Sequence, residues 1–316
     1  MGSDLLTAGK RTDSRPGGTI QGVAQLKANG IEIEYETIGD PAAAPLLLIS
    51  GLGSQLISWD DRFCEQLAAR GFFVIRYDNR DSGRSTKMEA AGEPDLLAAI
   101  AGNPRPAYRL DDMADDAVGV LSALDIGAAH VVGVSMGGFI SQLVVLNHPD
   151  RVLSVTSIMS GPGGADEVPP TAEGIEVLTK MPPSTREGRI DHAMWSRQVV
   201  AGSGDIFDED VERRRAERAY DRSYYPVGTL RQLVATLAAD SRIERLSRVS
   251  VPTLVIHGLD DVLIPVENGR LVAAAVPGAR LVEFETMGHN VSERFWPEIL
   301  DAIAENTHKA TLLQPR

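Results

Sequence analysis

The chain has 316 residues, of which 43% are hydrophobic and 24% are charged, and its formal net charge is -13. This balance is typical of an ordinary globular protein and excludes a disordered or collagen-like chain. The negative charge disfavours nucleic acid or an anionic membrane as the main partner, because both would repel it. Cys64 is the only cysteine, which excludes an internal disulfide bond. The length corresponds to two domains, or to one large α/β domain with an insertion.

Both ends of the chain are polar. Residues 1–22 are rich in Gly, Ser and Thr and contain no apolar signal-peptide core, so we interpret them as a flexible leader. Residues 306–316 are interpreted as a tail. No stretch approaches about 18 consecutive apolar residues, so no transmembrane helix is expected. The expected compartment is the cytoplasm.

Between these ends, short apolar runs predict the strands of a sheet. Residues 23–27 and 31–37 alternate apolar and polar side chains around Asn29-Gly30, which predicts a β-hairpin. The later runs are mostly apolar on both sides, as in strands buried between two layers of helices, and the run at residues 155–159 is the weaker one. These runs lie at residues 46–49, 72–75, 131–134, 155–159, 253–256 and 281–284.

Helical spacing of apolar residues separates these runs and predicts an α/β architecture with a doubly wound, mostly parallel sheet. The predicted helices lie at residues 58–70, 112–124, 137–147, 266–275 and 293–305.

Residues 161–249 break the alternation, because they contain no strand pattern and have a polar, helical character. We predict that they form a helical cap inserted into a core made of residues 23–160 and 250–305. Within the cap, residues 205–222 carry seven acidic side chains and five arginines. Charged runs of this kind are interpreted as a solvated helix face rather than as a recognition surface.

The sequence GVSMG at residues 133–137 lies between an apolar run and a predicted helix. A strand–turn–helix of this kind needs small residues beside the nucleophile, because the backbone is strained and neighbouring chain lies close. The turn would present the Ser135 hydroxyl at the carboxyl edge of the sheet, where ligands bind in open α/β folds. Ser135 is therefore the candidate nucleophile.

A serine is a poor nucleophile unless a base takes its proton. His289 follows the last apolar run on a loop before a helix, which places it at the same sheet edge as Ser135. His257 ends a buried run and is interpreted as a packed core residue. The other histidines are interpreted as structural or solvated residues, with at most a pocket-lining role for the one in the cap; they are His130, His148, His192 and His308.

The base in turn needs a carboxylate that fixes its tautomer and stabilises the imidazolium. Asp260 and Asp261 both lie on the loop that follows the run at residues 253–256. This loop also opens at the carboxyl edge of the sheet. Its position alone leaves the choice between the two aspartates open.

Hydrolysis also needs hydrogen-bond donors for the tetrahedral oxyanion. The backbone amide of Met136, directly after the nucleophile, is one candidate. The second candidate is the amide of Leu52, since Gly51 lets the chain turn tightly after the run at residues 46–49. We assign Gly51, Trp59 and Trp195 to substrate binding.

These segments together resemble the α/β-hydrolase family over roughly residues 23–305. The resemblance is carried by GVSMG, the loop 258–265, Gly288-His289 and the stretch YDNRDSGRS at residues 77–85. Residues 46–59 and 76–81 are similar to the aclacinomycin methylesterase group and related actinobacterial esterases. The chain order of serine, acid and histidine is also that of the family.

The resemblance implies that Asp261 is the acid, since Gly258, Asp261 and Pro265 have the family's spacing. The chain departs from many relatives at Ser50, where they carry histidine before the glycine. This departure changes the side chain available for hydrogen bonding in the loop, whereas the backbone donor at Leu52 remains.

The activity implied is hydrolysis of a small-molecule carboxylic ester through an acyl-enzyme, with no metal ion or other cofactor. A C–C hydrolase of diketone-type substrates is an alternative, although such enzymes often carry an aromatic residue where this chain has Asn290. Further alternatives are a cofactor-free perhydrolase and, from another class, a non-catalytic small-ligand receptor. Epoxide hydrolases and dehalogenases are disfavoured because they carry aspartate at the position of Ser135.

Overall fold

The computed structural model describes residues 20–313 and contains one eight-stranded sheet. Within this part of the chain the strands are β1 (Ile20–Ala28), β2 (Ile31–Ile38), β3 (Ala44–Ile49), β4 (Phe72–Tyr77), β5 (Ala129–Val134), β6 (Val152–Ile158), β7 (Thr253–Gly258) and β8 (Arg280–Phe284). Their order across the sheet is β1-β2-β4-β3-β5-β6-β7-β8. The β1–β2 and β2–β4 pairs are antiparallel, and all later pairs are parallel.

Helices follow most of these strands. They are α1 (Asp61–Ala69), α2 (Leu96–Ile100), α3 (Leu110–Ala123), α4 (Met136–Asn147), α5 (Ala172–Thr179), α6 (Arg186–Val200), α7 (Glu209–Arg222), α8 (Pro226–Leu237), α9 (Ile243–Leu246), α10 (Val266–Ala275) and α11 (Trp296–Leu313). Among residues 20–313, none of the helices combines the length and the apolar character needed to cross a membrane.

The sheet has a hydrophobic core on each face, because successive side chains of a strand point to opposite sides. In β3, Leu47 and Ile49 pack with α3 and α4 on one face, whereas Leu46 and Leu48 pack with α1 and α11 on the other. This double burial explains why the central strands are apolar on both faces at most positions. The predicted hairpin, the six later strands and the α/β fold class are confirmed, but β8 lies at the edge of the sheet and is only partly buried.

Two predicted boundaries differ from the structure. The helix predicted from residue 58 begins only at Asp61, because Asp60 caps it by accepting a hydrogen bond from the Arg62 amide. At the other end, α11 continues to Leu313, so the interpretation of residues 306–313 as a tail is wrong. The Asn306 side chain is buried and donates to the Val155 carbonyl of β6. The leader, except for residues 20–22 of β1, and residues 314–316 lie outside the described residues.

Helices α5 to α9 lie between β6 and β7, in the segment predicted to be a cap, and no strand interrupts them there. We call residues 164–246 the helical insertion. Its helix α7 contains most of the charged run, which is more than a solvated face. Arg222 is largely buried and binds Asp78 at 2.8 Å and Glu34 at 3.0 Å, both in the core. The run therefore joins the insertion to the sheet.

We predict that His130 makes the stability of the fold depend on pH. The side chain is buried in β5, with Nδ1 2.8 Å from Ser154 Oγ, and burial lowers the pKa of His130 from 6.5 to about 4. At pH values between these two pKa values, His130 is protonated in the unfolded chain but stays neutral in the native state. The free energy of unfolding therefore decreases as the pH is lowered from about 6.5 to about 4, and His130 accounts for on the order of 3 kcal/mol of this decrease.

Urea unfolding of the wild type and of His130→Gln between pH 7 and pH 4 measures this contribution. Other titrating groups affect both proteins alike, so the difference between the two isolates His130. The variant should lose less stability than the wild type as the pH falls. An equal loss in both proteins would contradict the prediction.

Candidate active site

Ser135 lies in a sharp turn between β5 and α4, with φ 56° and ψ -122°. A positive φ is unfavourable for a residue with a side chain and persists only where the surroundings impose it. Here the Ser135 amide donates to the Ile158 carbonyl at 2.9 Å, and the Ser135 carbonyl accepts from the Gly138 amide at 2.8 Å. These bonds hold the residue between the end of β5, the end of β6 and the first turn of α4.

The glycines around Ser135 are required by close backbone contacts. A Cβ atom at Gly133 would lie 2.0 Å from the Gly137 carbonyl oxygen, and one at Gly137 would lie 2.1 Å from the Ile49 carbonyl oxygen. On the opposite side, a Cβ atom at Gly51 would lie 3.2 Å from Ser135 Cβ. The end of β3, the end of β5 and the start of α4 thus meet at the candidate nucleophile.

His289 and Asp261 are joined by a hydrogen bond of 2.7 Å between His289 Nδ1 and Asp261 Oδ2. Asp261 is fixed in turn, because its Oδ1 accepts from the backbone amides of Leu263 at 2.9 Å and Ile264 at 2.8 Å. The carboxylate can only accept, so Nδ1 of His289 carries the proton and Nε2 is left as the basic nitrogen. This arrangement gives the imidazole the tautomer that a general base needs.

The Asp261 carboxyl is buried yet ionised. Burial by itself raises the pKa of Asp261, but His289, the His257 side chain and the Ile264 amide together hold that pKa well below its usual value. His257 is fully buried, as expected of a core residue, but it also contacts the site. Its Nε2 lies 2.7 Å from the Ile264 carbonyl oxygen and 3.4 Å from Asp261 Oδ2.

The neighbouring Asp260 has a different environment. Its Oδ2 accepts from the Ser203 backbone amide at 2.8 Å and from the Ser203 hydroxyl at 2.5 Å. Asp260 thus attaches the loop after α6 to the core, and Asp261 is the aspartate that contacts His289.

The two candidate oxyanion donors lie on either side of the turn. Met136 is the first residue of α4, and Leu52 follows Gly51 in the loop after β3. Within residues 20–313, neither backbone amide donates to a protein acceptor. The first amides of a helix lack partners within it, so the Met136 amide is free to bind an anion.

Ser135, His289, Leu52 and Gly51 line one cavity of ≈ 710 Å³. This volume falls within the range typical of sites for drug-sized ligands. In the part of the chain that the structure describes, no hydrogen bond joins the side chains of Ser135 and His289. Such contacts are often loose without substrate and tighten when it binds.

The helical insertion supplies much of the cavity wall. Apolar side chains from both parts of the chain dominate the lining, among them Val134, Met159, Met194, Leu230, Leu233 and Leu263. A charged group shares the wall, in which Arg215 binds Glu212 at 2.7 Å and Asp60 at 3.1 Å.

Of the residues assigned to substrate binding, Gly51 and Trp59 line the cavity but Trp195 does not. Trp195 lies on α6, beneath the ammonium group of Lys180 at 3.8 Å and next to His192. The assignment of Trp195 is therefore corrected: the neighbouring Met194 and Ser196 belong to the wall, and Trp195 packs within the insertion. Helical rotation explains the difference, since adjacent residues point in different directions.

Sequence reasoning missed the residues that hold the loop after β3. Asn79 Nδ2 donates to the Ser50 carbonyl at 3.0 Å, and the Ser82 hydroxyl donates to the Ser54 carbonyl at 2.6 Å. Their polar character directly after the buried strand β4 was the available signal. The Ser50 hydroxyl is buried and has no hydrogen-bond partner among residues 20–313, so it does not help to hold the loop.

Across the described residues, no three His, Cys, Asp or Glu side chains come together in a way that could hold a metal ion.

Comparison with known proteins places the chain in a family. Residues 44–294 match the model of the α/β-hydrolase fold family, and the chain belongs to this family. Among solved structures, a meta-cleavage product hydrolase from Pseudomonas fluorescens IP01 superposes with a TM-score of 0.72 at 20% sequence identity. That match covers 91% of this chain and 98% of the other.

Curated relatives match nearly as much of the chain. The rhodomycin D methylesterases of Streptomyces sp. (strain C5) and Streptomyces peucetius are both 35% identical over 300 residues, covering 88% of this chain and 95% of theirs. A 2-hydroxy-6-oxononadienedioate/2-hydroxy-6-oxononatrienedioate hydrolase of Paraburkholderia xenovorans is 27% identical over 286 residues, covering 87% of this chain and 91% of the relative.

We predict that Gly137→Ala destabilises the protein strongly, by about 3 kcal/mol or more, because its Cβ atom would meet the Ile49 carbonyl oxygen. Gly127→Ala is the matched control, since nothing lies within 4 Å of a Cβ atom there. Denaturant unfolding of the two variants measures the difference. Similar stability of both would show that close packing at the turn is not required.

Proposed function

We propose that this chain is a serine ester hydrolase that cleaves a small alkyl ester, such as a methyl ester, of a bulky and largely apolar carboxylic acid. The observation that carries the proposal is one cavity that holds Ser135, on its strained turn, and His289, whose Nδ1 is held by Asp261. The likeness to two rhodomycin D methylesterases supports ester hydrolysis, and the large apolar cavity supports a bulky acid.

In the first half of the reaction, His289 Nε2 takes the proton from the Ser135 hydroxyl as the oxygen attacks the ester carbonyl. The carbonyl oxygen becomes an oxyanion, which the amides of Met136 and Leu52 stabilise. The tetrahedral intermediate then breaks its bond to the alkoxy oxygen. The His289 imidazolium gives its proton to that oxygen, so the alcohol leaves and the acid remains bound to Ser135.

In the second half, a water molecule enters where the alcohol was. His289 takes one of its protons while the water oxygen attacks the acyl carbonyl, and the same two amides stabilise the second oxyanion. Collapse of this intermediate releases the carboxylic acid and returns the proton to Ser135. Asp261, ionised and buried, stabilises the imidazolium in both halves. The route uses no cofactor.

We also propose that the helical insertion is the cap of this active site, with the core made of residues 20–160 and 250–313. Its support is the wall that α6, α7 and α8 provide through residues such as Met194, Arg215 and Leu230. In this arrangement the cap decides which acid fits. The absence of nucleic-acid and membrane partners and the cytoplasmic compartment stay predictions, of which the net charge of -13 supports the first.

Hydrolysis of a C–C bond in a diketone is the second candidate. It is favoured by the 27% identity to the hydrolase of Paraburkholderia xenovorans, and the same three side chains could carry it. The two activities can be compared directly by measuring turnover of a ring-cleavage dienol diketone, monitored through the decrease in its absorbance, beside turnover of esters. A higher kcat/KM on the diketone than on any ester would make the second candidate the correct one.

We predict that Ser135→Ala lowers kcat by at least about 10⁴-fold on p-nitrophenyl esters and on bulky methyl esters, because it removes the nucleophile. A series of acyl groups from two to sixteen carbons, with a bulky methyl ester added, would define the acid that fits the cavity. Circular dichroism and thermal melting would show that the variant keeps its fold.

A fluorophosphonate probe tests the same residue without a substrate. It should label the wild type at Ser135 and leave Ser135→Ala unlabelled. Retained activity or labelling in the variant would exclude Ser135 as the nucleophile. A wild type that neither reacts with the probe nor turns over esters would instead be a non-catalytic receptor for a small ligand.

The adjacent aspartates offer a matched pair of variants. Asp261→Asn should lower kcat by about 10³- to 10⁴-fold, because an amide at this position no longer holds His289 in the required tautomer. Asp260→Asn should retain kcat within a few fold, since Asp260 contacts Ser203 and not His289. Steady-state kinetics of both variants shows which aspartate acts as the partner of His289. The reverse result would assign this role to Asp260.

A further inference from the structure

The loop after β3, which we call the oxyanion loop (residues 50–54), carries the Leu52 amide that the proposed function uses. This amide belongs to the peptide group between Gly51 and Leu52. The carbonyl oxygen of the same group, Gly51 O, accepts from the Ser54 amide at 3.2 Å. Because the N–H and C=O of a trans peptide point in opposite directions, this bond aims the Leu52 N–H away from Ser54.

The two flanking peptide groups are held by side chains. On one side, the Ser50 carbonyl accepts from Asn79 Nδ2 at 3.0 Å. On the other side, the Gly53 amide donates to Gln232 Oε1 at 2.8 Å. The direction of the Leu52 N–H therefore depends on one contact from the core and one from α8 of the helical insertion.

Gln232 has little freedom to move. Its side chain is fully buried, and its Nε2 donates to the Arg80 carbonyl at 2.7 Å, so both ends of the amide are in use. Helix α8 is fixed to the same part of the core by Arg231, which binds both carboxylate oxygens of Asp81 at 2.8 Å. A glutamine with both ends bound presents its oxygen to Gly53 in one orientation.

Gly53 has a conformation and surroundings that fit only glycine, and its amide depends on Gln232 for an acceptor. Its φ of +65° is in the left-handed region, and a Cβ atom there would lie 2.8 Å from Thr229 Oγ1, one turn before Gln232. Without Gln232 the Gly53 amide would lose its acceptor in a partly buried position. The loop would then turn to satisfy that amide elsewhere, and the Leu52 N–H would turn with it.

We propose that Gln232 is a positioning residue for the oxyanion hole, which acts by holding Gly53 and so aiming the Leu52 amide. Helix α8 then does more than form the cavity wall, since half of the oxyanion hole depends on its docking. The inference rests on the proposed ester hydrolysis. It concerns a residue that touches neither the substrate nor the reacting atoms.

The test compares Gln232→Met with Gln142→Met. Gln142 is also a buried glutamine with both ends in use, but its partners are Ser157, Gly161 and Arg242, none of them in the oxyanion loop. Loss of an oxyanion donor typically lowers kcat by about 10²- to 10³-fold, and a misdirected donor should cost less. We expect Gln232→Met to lower kcat about 10- to 100-fold with KM changed less than about threefold.

A second readout separates positioning from loss of structure. A trifluoromethyl ketone analogue of the ester forms a hemiketal whose oxyanion lies in the hole. Its inhibition constant should rise in Gln232→Met by the factor by which kcat/KM falls. Gln142→Met should lose thermal stability with neither change. Gln232→Glu, which keeps an acceptor for Gly53, should recover part of kcat.

Wild-type kcat and inhibition constant in a folded Gln232→Met would overturn the inference while leaving the proposed function intact. If that variant does not fold, Gln232→Asn, which is one methylene shorter and cannot reach Gly53, takes its place with the same expected result. Failure of the proposed function gives a different pattern, because the wild type itself would then lack esterase activity.

Discussion

Close backbone packing around Ser135 is the constraint on which the rest of the site depends. A serine with positive φ is held there by the ends of β5 and β6 and by the first turn of α4. The glycines on either side let three backbone segments approach to distances at which a side chain would clash. Such strain is typically stored where function needs it, since the stable sheet supplies the energy to maintain it. The nucleophile is thus positioned by the sheet and not by its own side-chain contacts.

The helical insertion is attached to this sheet by charge. Arg222 binds Asp78 and Glu34, and Arg231 binds Asp81, all at largely buried positions. Buried ion pairs add little net stability compared with apolar packing, but removing one partner is costly, because it leaves a charge without compensation. These ion pairs therefore determine the position of α7 and α8 on the core more than they stabilise its contact with the two helices. This geometry matters because both helices contribute to the wall of the cavity.

Sequence patterns predicted the sheet and the turn at Ser135 because both depend on local rules. Mostly apolar runs identified β3 to β8, and small residues around a serine identified the strained turn. The assignment of Trp195 to substrate binding was wrong because successive residues of a helix point in directions about 100° apart. The local sequence pattern does not show which of them faces the cavity. The end of α11 was missed because the burial of polar Asn306 depends on a β6 carbonyl distant in the chain.

Gln232 could not be identified from the sequence for a related reason. Its partner Gly53 is 179 residues away, and a glutamine among apolar residues of a helix carries no signal of its role. In the sequence, residues 77–85 stood out only by their resemblance to a family. In the structure, this stretch forms hydrogen bonds with both the oxyanion loop and α8. Local patterns thus locate the reacting groups, but the contacts that aim them come from distant parts of the chain.

The electrostatics of Asp261 follow from the same principle. Three groups favour its ionised form against the cost of burial: the His289 imidazole, the His257 side chain and the Ile264 amide. The carboxylate consequently stays charged throughout the range in which a histidine titrates. His257 takes part in this without touching a substrate, because its ring lies behind the carboxylate and bonds to the loop that carries it.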